Sequence, residues 1–229
     1  METELQKAIY MLYRAPRAKR LHIVWEYRCN EVAMDMLMGG KFFDRKQGWR
    51  RSPWSTTQWE VWYEESHVYR EEVSDRQRGF LVLNDGRTWA YLINGTKEPQ
   101  IHLQPEKSRI EDWIARHTLL RPRCLLVSHQ ITWRNMEVKL GRPVFHVEAQ
   151  NASEGIDNIC CFDEWFWDGA ERYHLWIDEE IGILLQYTAE MYKTTIAVAE
   201  VKKLEIEFSE DIFPMDIAAI NRGVESVSY

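Results

Sequence analysis

Glu64, Glu65, Glu71 and Glu72 place carboxylates on neighbouring predicted strands, the residue type a general acid and base pair needs if their pKa values are driven apart. Arg70 and Arg76 stand beside them. Opposite charges commonly face one another across a ladder, so cross-strand charge pairing is the expected role. Seven histidines, His22, His67, His102, His117, His129, His146 and His174, are scattered, and none has a second His or a carboxylate at ligand spacing in a predicted helix. A lone strand histidine reads as structural unless the fold brings partners to it. Cys29, Cys124, Cys160 and Cys161 have neither zinc spacing nor a disulfide framework, so they read as buried thiols. No glycine-rich phosphate loop, nucleophile elbow or paired-His motif occurs. No cofactor, no metal and no catalysis are therefore expected.

The tryptophans carry more information. Trp59, Trp62, Trp89, Trp133, Trp165, Trp167 and Trp176 all fall in predicted strands, among 11 Trp and 10 Tyr in 229 residues. Strand alternation lets both sheet faces be aromatic, and each apolar face needs a cover: helices, a ligand, a partner, or the sheet curling on itself.

The elements that must position these residues follow from periodicity. Leu5, Ile9 and Leu12 with Ala8 and Tyr13 predict an amphipathic helix over about 3–14, stopped by Pro16. Strand-like text runs from Arg20 to Leu37. Further strands are expected around Trp59–Tyr63, Val68–Val73, Phe80–Leu83 and Thr88–Ile93, with the Asp85-Gly86 and Asn94-Gly95 turn signals. Ser108 with Glu111 caps a second helix over 105–120. Strands then return over Cys124–Met136, Pro143–Ala149, Asp163–Trp167, Tyr173–Asp178, Gly182–Ala189 and Thr195–Phe208. With no repeat and no Pro- or Ser-rich linker, residues 1–229 read as a single domain: mainly β with two or more helices (α+β).

The formal charge of -7, from 36 acidic and 29 basic residues, disfavours nucleic acid and anionic membrane as partners. The basic cluster Arg14, Arg17, Lys19 and Arg20 suits a helix C-terminus. No apolar run is long enough to cross a bilayer, and no signal core opens the chain, so a cytoplasmic location is expected as given, or an extracytoplasmic one if an export signal has been removed.

Several stations, in order, resemble one family. Trp62-Tyr63, Arg70-Glu71-Glu72 and Asn84-Asp85-Gly86-Arg87-Thr88-Trp89-Ala90-Tyr91 are similar to the "R-x-E … dG-x-x-W-x-Y" hairpin of the bacterial outer-membrane lipoprotein carrier and sorting superfamily, which includes LolA, LolB and RseB. Gly141 to Val147, Leu175-Trp176-Ile177-Asp178 with Gly182 to Leu185, and Phe208 through Ile212-Phe213 resemble its later stations. The resemblance covers roughly residues 5–215; the run beginning Asn151 to Gly155 has no counterpart. It implies a curled, unclosed antiparallel β-barrel covered by helices, enclosing an apolar cavity for acyl chains.

The expected function is thus non-enzymatic binding of an apolar ligand, an acyl chain, lipid or lipoprotein, as a carrier or sensor. Trp59, Val61, Tyr63, Leu81, Leu83, Trp89, Tyr91, Leu175 and Ile177 are the expected lining, and the resemblance makes Arg70 a polar contact to lid or head group. Parity leaves the opposite set open: Trp62, Phe80, Val82, Ala90, Leu92 and Trp176. The alternative is a regulatory module that holds a protein segment on the same sheet without lipid.

Overall fold

The computed structural model describes residues 2–30, 32–33, 54–64, 69–74, 79–84, 88–93, 100–103, 122, 125–151 and 170–208; residues 69–103 are described by backbone alone. Helix α1 spans Glu2–Arg14. Five strands with the boundaries Arg20–Asn30 (β1), Trp54–Glu64 (β2), Tyr69–Ser74 (β3), Gly79–Asn84 (β4) and Thr88–Ile93 (β5) follow, then Gln100–Leu103 (β6). After the single turn α2, Leu125–Ser128, come β7 (His129–Lys139), β8 (Arg142–Asn151), β9 (Arg172–Asp178), β10 (Leu184–Met191) and β11 (Thr194–Ile206).

Backbone hydrogen bonds order these strands β6-β5-β4-β3-β2-β1-β11-β10-β9-β8-β7. Among the described residues β6 and β7 stand at the two ends of this order. Ladders β2 through β6 and β7 through β11 are antiparallel wherever their register is defined. The chain gathers into two compact units: Met1–Arg17, Glu26–Thr56 and Trp113–Val201 in the first, and Ala18–Trp25, Thr57–Asp112 and Lys202–Tyr229 in the second.

In the first unit, alternate residues of β8, β9 and β10 make one buried face. Phe145, Val147 and Ala149 stand opposite Ile177, Leu175 and Tyr173, and Leu175 and Tyr173 stand opposite Tyr187 and Ala189. All are buried. Helix α1 packs on β7, β8 and β9, burying Ala8, Met11 and Leu12, while Tyr10 and Tyr13 face solvent, the division an amphipathic helix predicts.

The turn from β9 to β10 is built around Asp178, which is wholly buried. Arg142 donates Nε to its Oδ2 at 2.5 Å and Nη2 to its Oδ1 at 3.1 Å, while the amides of Glu180 and Ile181 donate to Oδ1 at 2.9 Å. The hydrogen bonds to Asp178 hold the Arg142 guanidinium well above its ordinary range.

The structure departs from the expected elements in three places. The strand expected from Cys124 opens instead as α2, with Leu125 fully buried and its carbonyl accepting a hydrogen bond from His129, so local packing overrides strand propensity there. Strand β1 ends at Asn30, whose side-chain oxygen accepts from the Ala33 amide, a local bond that competes with the ladder. Among the described residues α1 is the one helix longer than a turn, so a sheet covered by two or more helices is not what they display. The helix expected over 105–120, the strand over Asp163–Trp167, and Cys124, Cys160 and Cys161 lie outside the described residues. Cys29 is a half-buried thiol, 3.0 Å from Ser55 Oγ.

Candidate functional site

In the second unit the apolar material is gathered by β1 and β2. Trp59, Val61 and Tyr63 alternate along β2 and are buried. Trp25 of β1 stacks on Trp59, with ring centroids 5.7 Å apart and planes 20° from parallel. Leu21 and Ile23 continue the buried side of β1. Such aromatic contact adds to the area each indole removes from water.

The residues between them on β2 meet a different environment. Trp62 stacks on His22 at 4.6 Å with planes only 4° apart. His22 is buried, and both ring nitrogens are engaged: Nδ1 lies 2.5 Å from Glu205 Oε2 of β11 and Nε2 lies 2.8 Å from Glu60 Oε1 of β2. That grouping has the composition of an acid–base site, but neither nitrogen is left to exchange a proton with a substrate. It ties three strands together instead. The bond from His22, aided by Lys203, holds the Glu205 carboxyl below the usual carboxylate range. Beside it, Arg20 lies 4.2 Å over the Phe208 ring and donates to the Phe208 carbonyl.

Register extends these two rows across β3 to β6. Positions directly opposite in an antiparallel ladder share a face. Trp59 is opposite Val73, which is opposite Phe80, which is opposite Ile93. Val61 leads in the same way through Glu71 and Val82 to Tyr91, and Tyr63 through Tyr69 and Asn84 to Trp89. The other row begins at Trp62, which faces Arg70, Leu83 and Ala90 in turn, with Glu60, Glu72, Leu81 and Leu92 beside it.

The expected lining is therefore divided by the ladder. Trp59, Val61, Tyr63, Trp89 and Tyr91 occupy one row, joined by Phe80 and Val82 from the opposite set. Arg70, Leu81 and Leu83 occupy the other, with Trp62. Leu175 and Ile177 are fully buried in the first unit, on β9, one of the strands that α1 contacts.

Sequence reasoning missed the polar clusters altogether. In the first unit Trp176 stacks on His146 at 4.5 Å and 11° and donates its Nε1–H to Glu137 Oε2 at 2.9 Å. Burial pushes Glu137 up, but Trp176, His146 and Lys139 together bring it below its ordinary value. Lys139 lies 4.9 Å from the Trp176 ring centroid. Glu148, buried, accepts from Arg134 on Oε2 and pairs in charge with Arg172, whose Nε lies 3.0 Å from Oε1. The only signal for these clusters in the sequence is alternation of charged and apolar residues; their partners come from separate strands. Among the described residues no group of three or more His, Cys, Asp or Glu is arranged to hold a metal ion.

No family model matches the chain, and no curated protein matches it. Among solved structures, MucB aligns with 13% identity and a TM-score of 0.52, over 92% of this chain and 61% of MucB. The MucA/MucB complex of Pseudomonas aeruginosa aligns with 13% identity and a TM-score of 0.49, over 92% and 58% respectively. The lipoprotein LppX of Mycobacterium tuberculosis aligns with 11% identity and a TM-score of 0.49, over 91% and 96%. The chain thus spans about three fifths of the MucB chain it matches. The likeness to MucB shows that this chain has the LolA/LolB/RseB-like fold to which its sequence stations point.

Proposed function

We propose that this protein binds an apolar ligand, an acyl chain or lipid, and works as a carrier or sensor without catalysing a reaction. The observation that carries the reading is the aromatic row of the second unit: Trp59, Val61 and Tyr63 are buried beside Trp25, and register aligns Phe80, Val82, Trp89 and Tyr91 with them. The MucB-like fold supports it. So does His22, whose two nitrogens both serve structure. An acyl chain laid on such a row gains about 0.8 kcal/mol per buried methylene, so a dozen supply roughly 10 kcal/mol before ordering costs.

In this proposal residues 1–229 act as one domain, and Trp59, Val61, Tyr63, Trp89 and Tyr91 contact the ligand. Arg70, Leu81 and Leu83, in the adjoining row, meet a head group or cover, and Leu175 and Ile177 support the fold beneath α1. The family resemblance favours an extracytoplasmic setting over the cytoplasmic one; no helix among the described residues is long and apolar enough to cross a membrane.

The test is binding of an environment-sensitive apolar dye with displacement by fatty acids, together with mass spectrometry of organic extracts of the purified protein. A stoichiometry near one with displacement supports the reading. No dye binding and no co-purified lipid would overturn it. A protein-binding module is the second reading, favoured by one observation: Met136, Val138 and Leu140, at the β7–β8 hairpin, are large apolar residues left exposed.

A further inference from the structure

The β8–β9 ladder brings two of the scattered histidines together. His146 stands opposite Trp176 and His174 opposite Glu148, so the two imidazoles are diagonal neighbours on one face. His146 Nε2 and His174 Nδ1 are hydrogen-bonded at 3.2 Å, so one proton lies between them in the place a metal ion would take. Two imidazole nitrogens at that separation, each about 2.05 Å from one shared ion, subtend an angle of about 103°, close to the tetrahedral value zinc adopts.

The far side of the His146 ring is also equipped. His146 Nδ1 lies 3.0 Å from Glu137 Oε1 and 2.9 Å from Asn135 Oδ1, so its hydrogen belongs on Nδ1 and the Nε2 lone pair turns toward His174. The Glu137 carboxylate behind His146 fixes its tautomer and raises its basicity as a ligand. Glu190 Oε2 is 3.8 Å from His174 Nε2, too far for a hydrogen bond, and adds charge alone. Trp176 holds this arrangement by stacking on His146 while donating to Glu137.

We propose that His146 and His174 form a two-imidazole binding site for a divalent transition metal of the zinc and copper class, with solvent or a group on a bound molecule completing the coordination. The surrounding charges balance: Glu137, Glu148 and Glu190 against Arg134, Lys139 and Arg172. A hard cation such as calcium, which needs six or more oxygens and negative charge, finds neither here; an imidazole-seeking metal finds two nitrogen donors. With two protein ligands the site is exchangeable. It stands on observations separate from the apolar row, so it holds whatever the ligand of that row.

The experiment is calorimetric titration of the full chain with Zn(II) at pH about 7.5, repeated at about 5.5, where protons compete with the metal for imidazole nitrogens. One equivalent is expected to bind at the higher pH and to be lost at the lower. His146→Gln and His174→Gln should each weaken binding at least tenfold, and Glu137→Gln about tenfold through its hold on His146. The metal-free melting temperature of each variant shows whether it folds, and His174→Gln, which leaves the Trp176 stack in place, guards against loss of structure in His146→Gln. No zinc uptake by the wild-type chain at large excess, or unchanged uptake in both folded histidine variants, would overturn the proposal.

Discussion

Replacing Gly182 by alanine tests how firmly α1 is seated on the first unit. Gly182 has φ +80°, and a Cβ built there would lie 2.7 Å from the Met11 carbonyl oxygen and 3.2 Å from Ala15 Cβ. Met11 contributes one of the last four carbonyls of α1, which have no partner within the helix. The chain following the helix is tied to the same turn, because the Arg17 amide donates to the Ile181 carbonyl at 3.0 Å. The left-handed backbone alone costs alanine about 1 kcal/mol. A contact of 2.7 Å to backbone oxygen cannot be relieved by a rotamer change, so α1 must shift and loosen Met11 and Leu12, adding roughly 1–3 kcal/mol. Gly141, in the β7–β8 turn, supplies the internal control: its φ is +73° but nothing lies within 4 Å of an added Cβ. Gly141→Ala should therefore lose only the backbone contribution of about 1 kcal/mol. The expected totals are about 2–4 against about 1 kcal/mol, or falls in Tm of roughly 4–16 against 2–4 °C for a chain of this length. Urea unfolding followed by circular dichroism, with melting curves on both variants, gives the comparison. Equal losses in the two, within about 0.5 kcal/mol, would refute the seating of α1 against this turn.

Three further outcomes are expected. Asp178→Asn places an amide donor against the Arg142 guanidinium in a fully buried position and should cost about 3 kcal/mol, read as a shift in urea midpoint; a change below about 0.5 kcal/mol would show that the turn does not depend on the charge. Burial holds His129 and His146 below the ordinary imidazole value of 6.5, with the Leu125 carbonyl and Glu137 offsetting it only in part. The unfolded chain therefore takes up protons first as pH falls, so stability is full above about pH 6.5 and declines beneath it, and depressed Glu205 and Glu137 extend the loss through the carboxylate range. Urea midpoints measured with a chelator across that range should fall with pH, and His129→Gln should flatten the slope; a midpoint that rises on acidification contradicts the assignment. Trp59→Ala should cost about 3–5 kcal/mol and weaken fatty-acid displacement of a bound dye, whereas Trp62→Ala should spare displacement while losing its stack on His22. Weakened displacement in Trp62→Ala with none in Trp59→Ala would move the ligand to the other row.

Much of the secondary structure was legible before any coordinates. Strand β5 occupies Thr88–Ile93 as its alternation and the preceding Asp85-Gly86 signal predict, and α1 coincides with the apolar spacing of Leu5, Ile9 and Leu12. Those signals are local, carried by residues within a few positions of one another. The α2 turn was not legible, because a buried Leu125 and its bond to His129 are consequences of what packs around them.

Alternation by itself determined which residues share a face within one strand: Trp59, Val61 and Tyr63 together, Glu60 and Trp62 apart from them. What it left open was how the faces of successive strands join. Only the ladder decided that Trp59 continues into Val73 and Phe80 while Leu81 and Leu83 fall in with Arg70 and Trp62. The reason is that register is a property of paired backbones, and a shift of one residue in the turn exchanges the two faces. The same holds for chemistry at longer range. His22 meets a carboxylate 183 positions away, and His146 meets His174 across 28. Each residue's type was plain in the sequence, but its neighbour was set by the order in which the strands hydrogen-bond, which only the tertiary structure contains.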